Sequence, residues 1–218
     1  MKFPVVVSRA RLRGEEIRVV RPARGLGHGV VLDFDGHLGA YLDQEGARVI
    51  GGLWLLAARS PRSLVHLPMR GNRLPVGAFG EGRRLDVVLV PRAMQFAPSR
   101  WKQVRARLRG GRPQTVELAG VDPEEGLEID YRARHYAENR DLFRQHVHAD
   151  TLFMTGTAKV FRETAGRFFD VARQGPGFVP GHPNYPHFCT EFHRLDGILA
   201  AGARDVHVEY CTRWVTAS

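Results

Sequence analysis

Three short segments in the C-terminal half alternate polar and apolar residues with a period of two. No other feature constrains the fold as strongly. They are His146-Val147-His148-Ala149-Asp150, His187-Phe188-Cys189-Thr190-Glu191-Phe192-His193 and Asp205-Val206-His207-Val208-Glu209-Tyr210-Cys211. Successive side chains of a β-strand point to opposite faces. Each segment therefore reads as a strand with one apolar face and one face of imidazoles, carboxylates and thiols. The apolar side (Val147, Phe188, Phe192, Val206, Val208, Tyr210) needs a cover. Phe161, Ala165, Phe168, Phe169 and Ala172 supply it as a stripe at helical spacing. A helix is expected over residues 157–173, stopped by Gly175-Pro176.

The first hundred residues read mainly as strands. Val5-Val6-Val7, Ile17 to Val20, Val30 to Phe34, Leu38 to Leu42 and Leu85 to Val90 are separated by turn signals such as Arg13-Gly14 and Asp35-Gly36. The apolar run Val49 to Ala58, with Gly51 and Gly52 inside it, reads as a buried element too short to span a bilayer. Ser99 is a plausible N-cap for a helix with Trp101, Val104 and Leu108 on one side, ended by Gly110-Gly111. The expected class is α+β: a β-rich antiparallel N-terminal region, residues 1–113, ending in that basic helix, and an α+β region, residues 114–218, with one long amphipathic helix on a sheet.

Charge supports a division near residue 113. Residues 1–113 carry 21 Lys and Arg against eight Asp and Glu, while residues 114–218 carry 11 against 15. The basic side suggests nonspecific polyanion affinity through Arg100, Lys102, Arg105, Arg107 and Arg109. Only three of the 32 basic residues are lysines, a bias that a GC-rich genome also produces. Two cysteines make no disulfide framework, and no signal peptide is evident, so a cytoplasmic protein with no membrane role is expected.

Several chemistries can be weighed. Gly25-Leu26-Gly27-His28-Gly29 precedes a strand, whereas a dinucleotide or phosphate loop would precede a helix. Leu32-Asp33-Phe34-Asp35-Gly36 resembles the first motif of the haloacid dehalogenase-like hydrolases. That resemblance implies Asp33 as nucleophile and Asp35 as general acid/base of a phosphatase. The rival reading is a hairpin turning at Asp35-Gly36. The histidine strands admit two readings. As metal ligands, His146, His148, Asp150, His187 and His193 would serve a metal-dependent hydrolase, with zinc as the divalent ion. As a solvated sheet face they need no cofactor, which is the leading expectation.

Residues 151–211 run from a strand through Met154-Thr155-Gly156, an amphipathic helix and a Gly/Pro loop. They continue into the segment His187 to His193, then Ala201-Gly202-Ala203-Arg204-Asp205 and the last strand. This order resembles small α+β immunity proteins of bacterial polymorphic-toxin systems. The resemblance implies a soluble bacterial binding protein, immunity-like or accessory, with a protein partner. The residues expected to meet the partner are His146, His148, His187, Glu191, His193, His207 and Glu209.

Overall fold

The computed structural model describes residues 1–77, 82–108, 110–118, 130–136, 138, 141–182, 184 and 187–215. The chain opens with β1 (Lys2–Leu12) and β2 (Glu15–Pro22), followed by β3 (Gly29–Asp33), β4 (Leu38–Leu42), α1 (Gln44–Arg59), β5 (Ser63–Leu67) and β6 (Arg83–Pro91). Next come α2 (Trp101–Ala106), β7 (Arg112–Glu117) and α3 (Tyr131–Arg134). The chain continues with β8 (Arg144–His148), β9 (Thr151–Gly156), α4 (Ala158–Gly181), β10 (Cys189–Phe192) and β11 (Val206–Tyr210).

The strands form one mixed sheet in the order β10-β11-β4-β3-β6-β5-β2-β1-β7, with β9 also on β6 and β8 on β9. The fold is α+β, with the long helix α4 on the sheet. Among the described residues three strand pairings are parallel: β2 with β5, β4 with β11, and β6 with β9. The last two join strands from either side of residue 113, so the sheet continues across the charge boundary.

The apolar run Val49 to Ala58 is the body of α1. Asp43 caps this helix by accepting from the Gly46 amide at 2.7 Å. The glycine at 51 has a packing reason: a Cβ there would lie 2.8 Å from the Phe169 ring of α4. The two helices lie together on one face of the sheet. Trp54 and Phe168 meet with ring centroids 4.7 Å apart, and Trp54 Nε1 donates to Thr164 Oγ1. Phe161, Phe168, Phe169, Phe192 and Val208 are buried in this core, and Phe188 packs half-buried against it.

Two helix boundaries differ from the sequence expectation. Helix α4 does not stop at Gly175-Pro176 but runs on to Gly181. Pro176 cannot donate to the Ala172 carbonyl. Gln44 Nε2 of α1 donates to that carbonyl at 3.0 Å, so the orphaned acceptor is satisfied from the neighbouring helix. The basic helix is shorter than expected. Ser99 sits in a 3-10 turn and makes no side-chain cap, and Arg109 lies outside the described residues. Its apolar side is as expected: Trp101 and Val104 are fully buried on the sheet face opposite α1, over Leu64, Val88, Val90 and Phe153.

The topology also contains a duplication. A hairpin, a helix and a second antiparallel strand pair recur as β3-β4-α1-β5-β6 and β8-β9-α4-β10-β11. The units interlock reciprocally: the last strand of each runs parallel to the second strand of the other. Register aligns them residue by residue. Val87 faces Leu152 and Leu89 faces Met154, as Val206 faces Leu38 and Val208 faces Ala40. Asp86 and Asp205 then occupy one position, and both carboxylates accept the backbone amide of the turn after the preceding strand, from Met69 and Arg194 respectively. Where β3 pairs Val31 with Leu85, the second unit uses a side chain. Gln145 donates to the Arg204 carbonyl and accepts from its amide, both at 2.9 Å.

Candidate functional site

Alternation along β10 and β11 sorts the two strands as the period of two requires. Phe192, Val206 and Val208 are buried toward the helices, and Thr190 Oγ1 reaches the Arg167 carbonyl of α4. On the other face His187, Glu191, His193, Asp205, His207 and Glu209 line an open cleft of about 820 Å³. Phe34, His37 and Tyr41 of the β3–β4 hairpin form its other wall. Glycine at 39 makes room for that wall, since a Cβ there would lie 2.7 Å from the Tyr41 ring. Beyond it, Leu74 to Val76 pairs with Arg213 to Val215 and folds over Val30, Leu32 and Tyr41.

The polar groups form a connected chain. His193 Nε2 contacts Glu191, and Glu191 Oε1 lies 2.8 Å from His207 Nδ1. His207 Nε2 is 3.4 Å from Glu209 Oε2, and the other Glu209 oxygen is 3.3 Å from His187 Nδ1. The His187 and His207 rings stack with centroids 5.1 Å apart. His193 Nδ1 also lies 3.7 Å from Asp205. The hydrogen bond to Glu209 raises the His207 pKa, against the effect of burial and together with Glu191. Burial acts to raise the Glu191 carboxyl, but His207 and His193 outweigh it and hold the group below its ordinary value. Burial, then Glu191 and Glu209, push the Cys189 thiol up. Burial and Glu209 raise Cys211 to about 12, and burial with the same carboxylate raises Tyr41 to about 12.

The proposed partner-binding residues therefore fall into two groups. His187, Glu191, His193, His207 and Glu209 line one cleft. His146 and His148 lie on β8, stacked on each other at 6.3 Å, and are not among the residues lining it. The metal ligand set proposed from the sequence is split in the same way. Asp150 stands at the β8–β9 turn in an ion pair with Arg70 at 3.0 Å. A different trio converges: ligand atoms of His187, Cys189 and His207 all lie within 4.8 Å of one another. Cys189 shared a face with His187 in the sequence pattern. The convergence of His207 needed the register that sets Glu191 opposite it.

Asp33 and Asp35 have the hairpin geometry. Asp35 takes a left-handed backbone (φ 62°) in the β3–β4 turn. Asp33 is buried and engaged by Arg83 at 2.9 Å and by Arg204. Burial acts to raise its carboxyl, and the two guanidiniums with the Asp35 amide hold it down.

The basic residues of α2 are partly engaged. Arg100 pairs with Glu15 at 2.7 Å, and Arg105 lies 3.7 Å from Asp86. A second cleft, about 510 Å³, is lined by Arg9, Arg18 and Arg112 with Val7, Gly110 and Gln114. Arg9 and Arg18 are directly opposed across β1 and β2.

No family model, curated protein or solved structure matches this chain. Among the described residues no helix is long and apolar enough to cross a membrane.

Proposed function

We propose that the chain is a soluble bacterial binding protein, immunity-like or accessory, that recognises a protein partner through the polar face of β10 and β11. The observation carrying this is the contrast between the two units. The outer face of β5 and β6 bears Leu64, Val88 and Val90, sealed beneath Trp101 of α2. The aligned positions on β10 and β11 are Cys189, His207 and Glu209, and the last two line an open cleft. That cleft holds the carboxylates of Glu191, Asp205 and Glu209, each beside a histidine, next to an aromatic wall. Such a surface suits a partner with basic side chains that can pair and stack.

On the immunity-like reading, the partner is a toxin domain encoded beside this chain. The purified pair should form a stoichiometric complex. Glu191→Ala with Glu209→Ala should weaken it by about tenfold or more, as truncating central charged contacts does. Thermal melting of the free chain should be nearly unchanged. An unaltered dissociation constant in the double variant would overturn the assignment of this face.

Weak polyanion affinity is a secondary reading, supported by the opposed Arg9 and Arg18 beside Arg112. Arg9 is already paired with Glu16 at 2.7 Å, so Arg18 and Arg112 carry the test. Changing Arg18 and Arg112 to Ala should reduce heparin retention, and the retention should fall steeply with salt. Equal retention of variant and parent would remove the reading.

A further inference from the structure

We infer that His187, Cys189, His207 and Glu209 form a binding site for a zinc-class divalent cation. The site shares His187, Glu191, His207 and Glu209 with the proposed partner face, but its test uses the free chain and a metal readout, so either reading can fail without the other. Ligand atoms of His187, Cys189 and His207 already lie within 4.8 Å of one another. In a tetrahedral zinc site, bonds of about 2.0–2.3 Å place neighbouring ligands about 3.3–3.8 Å apart. Closing that gap takes side-chain movements of about an ångström.

Glu209 stands outside that converging trio but is placed beside both imidazoles to become the fourth donor. Its two oxygens stand 3.3 Å from His187 Nδ1 and 3.4 Å from His207 Nε2, between the two imidazoles. The set is two nitrogens, one sulfur and one oxygen, which suits zinc better than magnesium or calcium. His207 is also oriented for the task. Glu191 Oε1 is 2.8 Å from its Nδ1, and Glu191 is held in turn by His193. A carboxylate on Nδ1 keeps the proton there and leaves Nε2 as the unprotonated ligand atom. The cation replaces the Cys189 thiol proton and any proton between Glu209 and the imidazoles, so binding releases protons.

The duplicated unit acts as an internal control. Register aligns His207 with Val88, and Glu191 with His66. One step along, Cys189 aligns with Leu64 and Glu209 with Val90. In the first unit Leu64, Val88 and Val90 are apolar and buried under α2. The same backbone thus carries either an apolar seal or three ligand-type side chains. A merely solvated face would be met by any polar residues, lysine, serine or threonine included.

Tag-free protein, freed of metal with a chelator and then desalted, should be titrated with cobalt(II) and then zinc(II). One cobalt per chain should bind and give a thiolate-to-cobalt charge-transfer absorption, which zinc abolishes by displacement. Cys189→Ser should remove that absorption. His187→Ala and His207→Ala should weaken binding by about tenfold or more, and so should Glu191→Gln, which leaves every ligand in place. His146→Ala should change nothing. Circular dichroism of each variant confirms that it is folded, and Glu191→Gln carries the test if a ligand variant is not. Absence of stoichiometric binding to the parent chain would overturn the inference. So would a charge-transfer band that persists in Cys189→Ser, or binding lost in His146→Ala.

Discussion

Truncating Phe168 to Ala should destabilise the protein by about 3–5 kcal/mol, the range for a large buried aromatic. Phe168 is 3% exposed, with its ring centroid 4.7 Å from that of Trp54 and 5.7 Å from that of Phe192. It is where α1, α4 and β10 meet. Trp54 and Phe168 also occupy aligned positions of the two units, each the eleventh residue of its helix. The alanine variant opens a cavity that neither helix can close alone. Urea denaturation of parent and variant measures the loss, with little change expected in the slope. A cost below about 1 kcal/mol would mean that Phe168 is not in a packed core.

The second large effect is expected at Asp86. The residue is 5% exposed, and its carboxylate accepts the Met69 amide at 3.0 Å and the Arg70 amide at 2.9 Å and has Arg105 Nη1 at 3.7 Å. His66 Nε2 lies at 3.9 Å, an electrostatic neighbour beyond hydrogen-bonding distance. Removing the carboxylate strands two amides and a partly buried guanidinium. Asp86→Ala should therefore cost about 3–5 kcal/mol. Asp205 makes the matching bond to the Arg194 amide but is far more exposed. Asp205→Ala should cost only about 0.5–1.5 kcal/mol. Equal costs at the two sites would contradict the burial difference.

Asp86 also sets a pH dependence. Burial acts to raise its carboxyl, but His66, the Arg70 amide and the Arg70 guanidinium hold it below the ordinary value. A group whose folded pKa is lowered stabilises the native state above its unfolded pKa. That stabilisation is lost as pH falls through the folded pKa. The gap in stability between the parent and Asp86→Asn should thus be full at neutral pH and narrow once pH drops below about 3.9. A gap that widens on acidification would reverse the sign.

The histidine-strand alternation was legible because a period of two admits few alternatives once the apolar side is this regular. It correctly placed Phe192, Val206 and Val208 inward and Glu191, His207 and Glu209 outward. Helix α1 was harder to see. Gly51 and Gly52 look like breakers, yet Gly51 is where the ring of Phe169 comes closest. The continuation of α4 through Pro176 depends on Gln44, distant in sequence, and no local rule contains it. The duplication was hidden for a similar reason. Aligned positions carry chemically unlike residues, such as Val88 with His207 and Val31 with Gln145, and only strand register relates them. Convergence of His187, Cys189 and His207 likewise depends on how β10 pairs with β11. His146 and His148 shared the same sequence signature and nevertheless lie on another strand pair.

If the partner binds the open polar face of the second unit, amide hydrogen exchange on the purified complex will register it there. Complex formation should slow exchange in residues 187–193 and 205–211 and in the facing wall at 34–41, and leave β8 and α2 unchanged. Protection confined to β8, to α2 or to the arginine cleft of β1, β2 and β7, with residues 187–211 exchanging as in the free chain, would contradict it.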